Sequence, residues 1–165
     1  MKTLTPPPSW CINNTFTLVQ NIQSLKQIQS RTWEMEAFCA SWKLVGSENF
    51  HEYLTAVGLD EEMVQVGNVL KPKVTISQEG DKVVLKTVTS VSSKEISGKL
   101  DEEFDDTTLD ERICKSVLYL DGDKLVYVQK WDDKQSTATR EVKGDQMITT
   151  LELNGVVAVL TYERV

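Results

Sequence analysis

The chain of 165 residues holds a single histidine, His51, and three cysteines, Cys11, Cys39 and Cys114. The cysteines lie far apart with no CxxC spacing, which excludes a structural zinc site and leaves them as small apolar fillers. A nucleophilic triad would have to use His51, which falls on a predicted surface helix, so no catalysis and no metal or cofactor are expected. No run approaches the roughly 20 apolar residues of a membrane helix. Thr3, Thr5, Pro6, Pro7 and Pro8 break any secretory h-region, so a cytoplasmic location is expected and Asn13-Asn14-Thr15 reads as a chance glycosylation match. There is no Gly-rich phosphate loop and no βαβ alternation, which argues against nucleotide chemistry. The net charge is −7, and the only acid in residues 1–34 is Glu34. The acidic remainder should repel nucleic acid and anionic membrane surfaces, leaving at most transient membrane contact.

What is present falls into two parts. Residues 1–34 combine the proline run with a polar stretch rich in Gln, Ser and Asn, and a loosely ordered extension is expected there. Leu18, Ile22, Leu25 and Ile28 recur near helical spacing, which allows a short amphipathic helix instead. From residue 35 the texture changes. Phe50, Tyr53, Leu54 and Val57 follow i, i+3, i+4, i+7 and predict a helix stopped by Gly58. Asp60-Glu61-Glu62 then opens a second short segment.

After Pro72 nearly everything reads as strand. Apolar and β-branched segments recur at 74–78, 82–90, 113–120, 124–131, 137–142, 147–153 and 156–165. Glu79-Gly80-Asp81, Asp121-Gly122-Asp123, Lys143-Gly144-Asp145 and Asn154-Gly155 separate them as turns. Evenly spaced short strands with tight turns predict an antiparallel meander closed as a barrel. Asp105, Asp106, Asp110 and Glu111 crowd one region and read as a solvated acidic face.

Side chains alternate across a strand, so Arg140 shares a face with Ala138 and Val142. A cation pointing inward needs compensation, either an internal carboxylate or water network or an anionic ligand group. On the last strand Val156, Ala158, Leu160 and Tyr162 share a face. A tyrosine among aliphatics fits a pocket for an amphipathic ligand as well as it fits an ordinary core.

Residues 35–165 resemble the intracellular lipid-binding proteins, in particular the fatty acid-binding proteins of brain and heart type. The resemblance rests on Ala37-Phe38-Cys39-Ala40-Ser41-Trp42-Lys43-Leu44, Ser47-Glu48-Asn49-Phe50, Gln65-Val66-Gly67-Asn68-Val69 and Ile76-Ser77-Gln78-Glu79-Gly80-Asp81-Lys82-Val83-Val84. It continues through Glu102-Glu103-Phe104-Asp105, Leu120-Asp121-Gly122-Asp123-Lys124-Leu125-Val126, Val128-Gln129-Lys130-Trp131-Asp132 and Gly155-Val156-Val157-Ala158-Val159. It implies an all-β, ten-stranded, antiparallel up-and-down barrel of calycin type with a two-helix lid. It also implies a monomer that encloses one long-chain fatty acid. Arg140 and Tyr162 match two groups of the family's carboxylate clamp, while Leu160 stands where the family has a second arginine. Val64, Val91, Ser92, Thr55 and Gly98 depart from the family pattern as well. Alternation and family position together place Phe50, Tyr53, Leu54, Leu59, Met63, Thr87, Val91, Asp110 and Gln129 on the cavity wall. A retinoid carrier of the same fold, or a barrel that carries nothing and serves as an interaction protein, are the alternative expectations.

Overall fold

A computed structural model of the protein describes residues 9–165, with side chains from residue 17 onward. The proline run, the Cys11 side chain and the Asn13-Asn14-Thr15 side chains lie outside the described part. The chain divides into two compact units, Met1–Glu34 and Met35–Val165. The described part of the first unit is helical and belongs to α1 (Ser9–Glu36), whose last two residues fall in the second unit. α1 extends well beyond the short stripe expected at residues 18–28. No Gly or Pro falls within its span, so nothing in its backbone chemistry interrupts it.

The second unit is built from ten strands and two helices. The strands are β1 (Ser41–Glu48), β2 (Lys73–Glu79), β3 (Lys82–Val88), β4 (Ser93–Lys99) and β5 (Glu103–Thr107). They continue as β6 (Ile113–Asp121), β7 (Lys124–Trp131), β8 (Lys134–Lys143), β9 (Gln146–Leu153) and β10 (Val156–Arg164). Helices α2 (Phe50–Val57) and α3 (Glu61–Val69) separate β1 from β2. The order across the sheet is β4-β3-β2-β1-β10-β9-β8-β7-β6-β5, antiparallel throughout. This is the ten-stranded up-and-down barrel with a two-helix lid that the sequence led us to expect. β1 and β10 join the two halves, with a register shift between Leu44 and Gly46. β4 and β5 are consecutive in the chain but stand at the two ends of the hydrogen-bonded order, so the barrel closes there without a backbone ladder.

Local chemistry explains most of these elements. The hairpin between β9 and β10 turns at Asn154 (φ 50°) and Gly155 (φ 80°), the pair of positive φ values a type I′ turn requires. Gly58 ends α2 at φ 103°. Asp60 caps α3 by accepting a hydrogen bond from the Met63 backbone N–H at 2.8 Å, which satisfies a donor otherwise left open at a helix start. β4 and β5 escape a reading from composition because they are polar. Ser93, Lys94, Glu95, Ser97 and Lys99 leave only Ile96 as an apolar mark on β4, and alternation is hard to see in such a segment.

The core has two parts. Met35, Phe38, Trp42, Leu44, Ile76, Leu118 and Met147 belong to one cluster. The Trp42 indole N–H donates to the Phe38 carbonyl at 2.9 Å, and the Arg164 guanidinium lies over the ring, 4.5 Å from its centroid. The second cluster joins α2 and α3 to the barrel through Tyr53, Leu54, Val57, Val64, Trp131 and Leu153. A Cβ on Gly67 would stand 2.9 Å from Leu54 Cδ1, so a larger residue there requires the Leu54 side chain to shift.

Candidate binding site: the polar interior of the barrel

Strand register, not chain proximity, assembles the site. Arg140 on β8 pairs with Thr149 on β9, and Thr149 pairs with Leu160 on β10. The three stand abreast on the inner wall, and Leu125 on β7 faces Arg140 from the other side. Adjacent strands are about 4.8 Å apart, so a group bound against Arg140 is within reach of Thr149. Tyr162 lies one inward step along β10, opposite Met147 and Leu44.

Arg140 is half-buried on the inward face of β8. Its Nη1 is buried and has no hydrogen-bond partner, and the Oγ1 of Thr149 is buried and unpartnered as well. Among the described residues no carboxylate comes within ion-pair distance of Arg140. Burial lowers the guanidinium pKa, and the nearby phenols of Tyr162, Tyr127 and Tyr53 partly offset this. A guanidinium still keeps its proton in such surroundings. Burial raises the pKa of Tyr53, Tyr127 and Tyr162, so all three are neutral hydroxyls at physiological pH. The interior therefore carries an uncompensated cation beside an unpartnered hydroxyl, which is the complement of an anionic headgroup.

The remaining residues named from the sequence fall into different settings. Tyr53 on α2 donates to or accepts from Ser136 Oγ at 2.6 Å, and its ring stacks on Phe50 with centroids 6.3 Å apart. Leu54 and Leu59 pack in the lid cluster, and Leu160 is buried in the other cluster. Thr87 is half-buried on β3. Asp110 belongs to the loop after β5, where it accepts from Thr108 Oγ1 at 2.6 Å and pairs with Arg112 at 2.7 Å. Met63 is 40 % exposed and Val91 71 % exposed, so both present much of their surface to solvent. Val64 is the buried residue of α3 and belongs to the cluster with Tyr53, Leu54 and Val57 of α2.

Gln129 is part of a second polar group that composition hides. Asp106 on β5 points inward with its side chain 4 % exposed, although it reads as part of a solvated acidic face. It accepts hydrogen bonds from Gln129 Nε2 at 2.9 Å, Ser116 Oγ at 3.2 Å and the Tyr127 hydroxyl, and Lys94 Nζ stands 3.2 Å away. Burial on its own would raise the Asp106 pKa, but the Tyr127 hydroxyl, the Thr107 backbone and Lys94 outweigh it and hold the carboxyl below its ordinary value. The signal available in the sequence was the alternation of Phe104 and Asp106 on one face, with exposed Asp105 between them. Thr149 was missed because threonine is an ordinary strand residue and carries no mark of its own.

An up-and-down barrel with a helical lid and buried polar groups along its inner wall defines a ligand-enclosing β-barrel. The chain belongs to the lipocalin / cytosolic fatty-acid binding protein family, whose model matches residues 41–165. It is 49 % identical over 111 residues to the liver fatty acid-binding protein of Lethenteron camtschaticum, spanning 67 % of this chain and 97 % of that one. The solved Schistosoma mansoni fatty acid binding protein in complex with arachidonic acid superposes with a TM-score of 0.77 at 34 % identity, covering 80 % of this chain and 98 % of that one. The fatty acid-binding protein from brain tissue of Drosophila melanogaster gives 0.71 at 41 % identity, with 74 % and 95 % covered.

Proposed function

We propose that the barrel is a non-enzymatic intracellular carrier that encloses one long-chain fatty acid, its carboxylate against Arg140, Thr149 and Tyr162. The observation that carries this reading is the buried, unpartnered Nη1 of Arg140 with the unpartnered Thr149 hydroxyl beside it. A carboxylate would satisfy both donors and neutralise the cation. The methylene tail would lie along Leu118, Leu125, Ile76 and Leu85, and each buried methylene contributes about 0.8 kcal/mol. Leu160 removes a second cation from the headgroup end, so the clamp is weaker than a two-arginine one and the tail carries more of the affinity. The working form is a monomer in the cytosol.

Native mass spectrometry of the delipidated protein, before and after oleate addition, tests this. One adduct per chain is expected. A folded barrel that takes up no C16–C20 acid would overturn the reading and favour the interaction protein instead. The Leu160 position also favours a less charged ligand, so a retinoid is the second reading. Absorbance and fluorescence on adding retinol or retinoic acid, with oleate as competitor, separate the two.

A further inference from the structure

We propose that the lid end of the barrel holds a second polar subsite, made by Arg112 Nε and the Trp131 indole N–H, which takes an uncharged oxygen at the far end of a long acyl chain. This deepens the fatty acid reading and rests on it. Among the described residues, buried side-chain atoms without a hydrogen-bond partner fall into two pairs. Arg140 Nη1 and Thr149 Oγ1 belong to the row described above. Arg112 Nε and Trp131 Nε1 form the other pair. A buried N–H without an acceptor bears the desolvation cost of a polar group, and a bound oxygen removes that cost.

Trp131 ends β7 on the face of Leu125, Tyr127 and Gln129, which looks inward. Leu125 faces Arg140, and Trp131 lies six positions further along the strand. The two polar pairs therefore stand about 20 Å apart along the wall, a span that a long-chain acyl group can cover. The Trp131 ring belongs to the cluster with Tyr53, Leu54 and Val57 of α2 and Cys114 of β6. Arg112 precedes β6, and its guanidinium carbon is 5.8 Å from the Trp131 ring centroid, so both donors share one corner. The end of α2 covers that corner. Arg112 Nη2 donates to the Val57 carbonyl at 3.0 Å, and Lys134 Nζ donates to the carbonyls of Ala56 and Val57 at 3.3 and 3.2 Å.

Charge separates the two subsites. Arg140 has no carboxylate within ion-pair distance among the described residues, whereas Arg112 has Asp110 at 2.7 Å and Asp132 at 3.9 Å. A second carboxylate at this corner would meet two acids as well as the guanidinium. A hydroxyl, keto or epoxide oxygen accepts from the two N–H groups without that repulsion. The ligand class is thus a long-chain acid with its carboxylate at Arg140 and a neutral oxygen at or near the other end.

Palmitate, ω-hydroxypalmitate and hexadecanedioate serve as probes. Each is titrated by calorimetry into delipidated wild type and Trp131→Phe, and the assigned Trp131 indole N–H signal of wild type is followed by NMR. A hydroxyl buried without a partner would weaken binding. Here ω-hydroxypalmitate is expected to bind at least as tightly as palmitate, more tightly than hexadecanedioate, and to move the indole signal away from its position with palmitate. Trp131→Phe is expected to raise Kd for ω-hydroxypalmitate about fivefold and to leave palmitate nearly unchanged. Much weaker binding of ω-hydroxypalmitate than of palmitate overturns the subsite, and so does an indole signal that does not distinguish them. Those two readings need no variant, so they stand even where Trp131→Phe fails to fold. Equal losses of both ligands in a folded Trp131→Phe give the ring a packing role only and overturn it as a donor. Hexadecanedioate binding more tightly than ω-hydroxypalmitate overturns the uncharged class. A folded wild type that takes up no palmitate overturns the fatty acid reading itself, whereas uptake of palmitate with rejection of ω-hydroxypalmitate overturns the subsite alone.

Discussion

Replacing Arg140 with methionine should move stability and affinity in opposite directions. Methionine is unbranched and close in length, so it keeps much of the apolar stem's packing while removing the charge. In the ligand-free barrel the guanidinium has a buried Nη1 with no partner, and no carboxylate among the described residues pairs with it. Replacing even a buried ion pair with apolar residues of similar volume is neutral or stabilises by on the order of 1–4 kcal/mol, and an unpaired buried charge has no Coulombic partner to lose. For a domain of this size each 1 kcal/mol raises Tm by about 2–4 °C, so the delipidated variant should melt several degrees higher than wild type. Oleate affinity should fall, because a charge-assisted hydrogen bond worth about 1.5–3 kcal/mol is lost. That corresponds to roughly a ten- to hundredfold rise in Kd. A fatty alcohol of the same chain length should bind both proteins about equally. Differential scanning calorimetry and isothermal titration on carefully delipidated protein read the two effects, since bound ligand would itself raise Tm. A lower Tm in the ligand-free variant would refute the unpartnered-cation argument. Unchanged oleate affinity would refute the placement of the carboxylate.

Four further outcomes follow from the same geometry. Thr149→Val should weaken oleate binding several-fold with no loss of ligand-free stability, because the hydroxyl it removes has no partner; paired titration and melting curves check this. Leu160→Arg should destabilise the ligand-free barrel by placing a second cation across Thr149 from Arg140, yet tighten carboxylate binding, read by the same two assays. Gly98→Ala places a Cβ 2.4 Å from Phe104 and should destabilise by about 1–3 kcal/mol, as overpacking does; urea denaturation measures it. The lowered pKa of Asp106 contributes stability that is present above the unfolded value, about 3.9, and lost as pH falls through the folded one. The acid limb of an unfolding profile below about pH 4 should accordingly be shallower in Asp106→Asn than in wild type.

Residues that act through their own neighbours were legible in the chain. Alternation put Arg140, Tyr162 and Leu160 on inner faces. Asn154-Gly155 marked a hairpin turn, Gly58 a helix end and Asp60-Glu61-Glu62 the start of the next helix, because each depends on the φ or the charge of a few adjacent residues. The crowding of acids misled at Asp106, which reads as part of a solvated face although alternation puts it beside Phe104, and Met63, named for the cavity wall, is 40 % exposed while Val64 is the buried residue of α3. Tertiary structure alone decided who stands beside whom. Arg140, Thr149 and Leu160 form one row because two hairpins hold a particular register. Lys94 meets Asp106 because the sheet curls until its two ends touch. A side chain's direction is set by local backbone geometry, but its partner is set by closure of the whole barrel, and it is the partner, or the lack of one, that gives a buried charge its function.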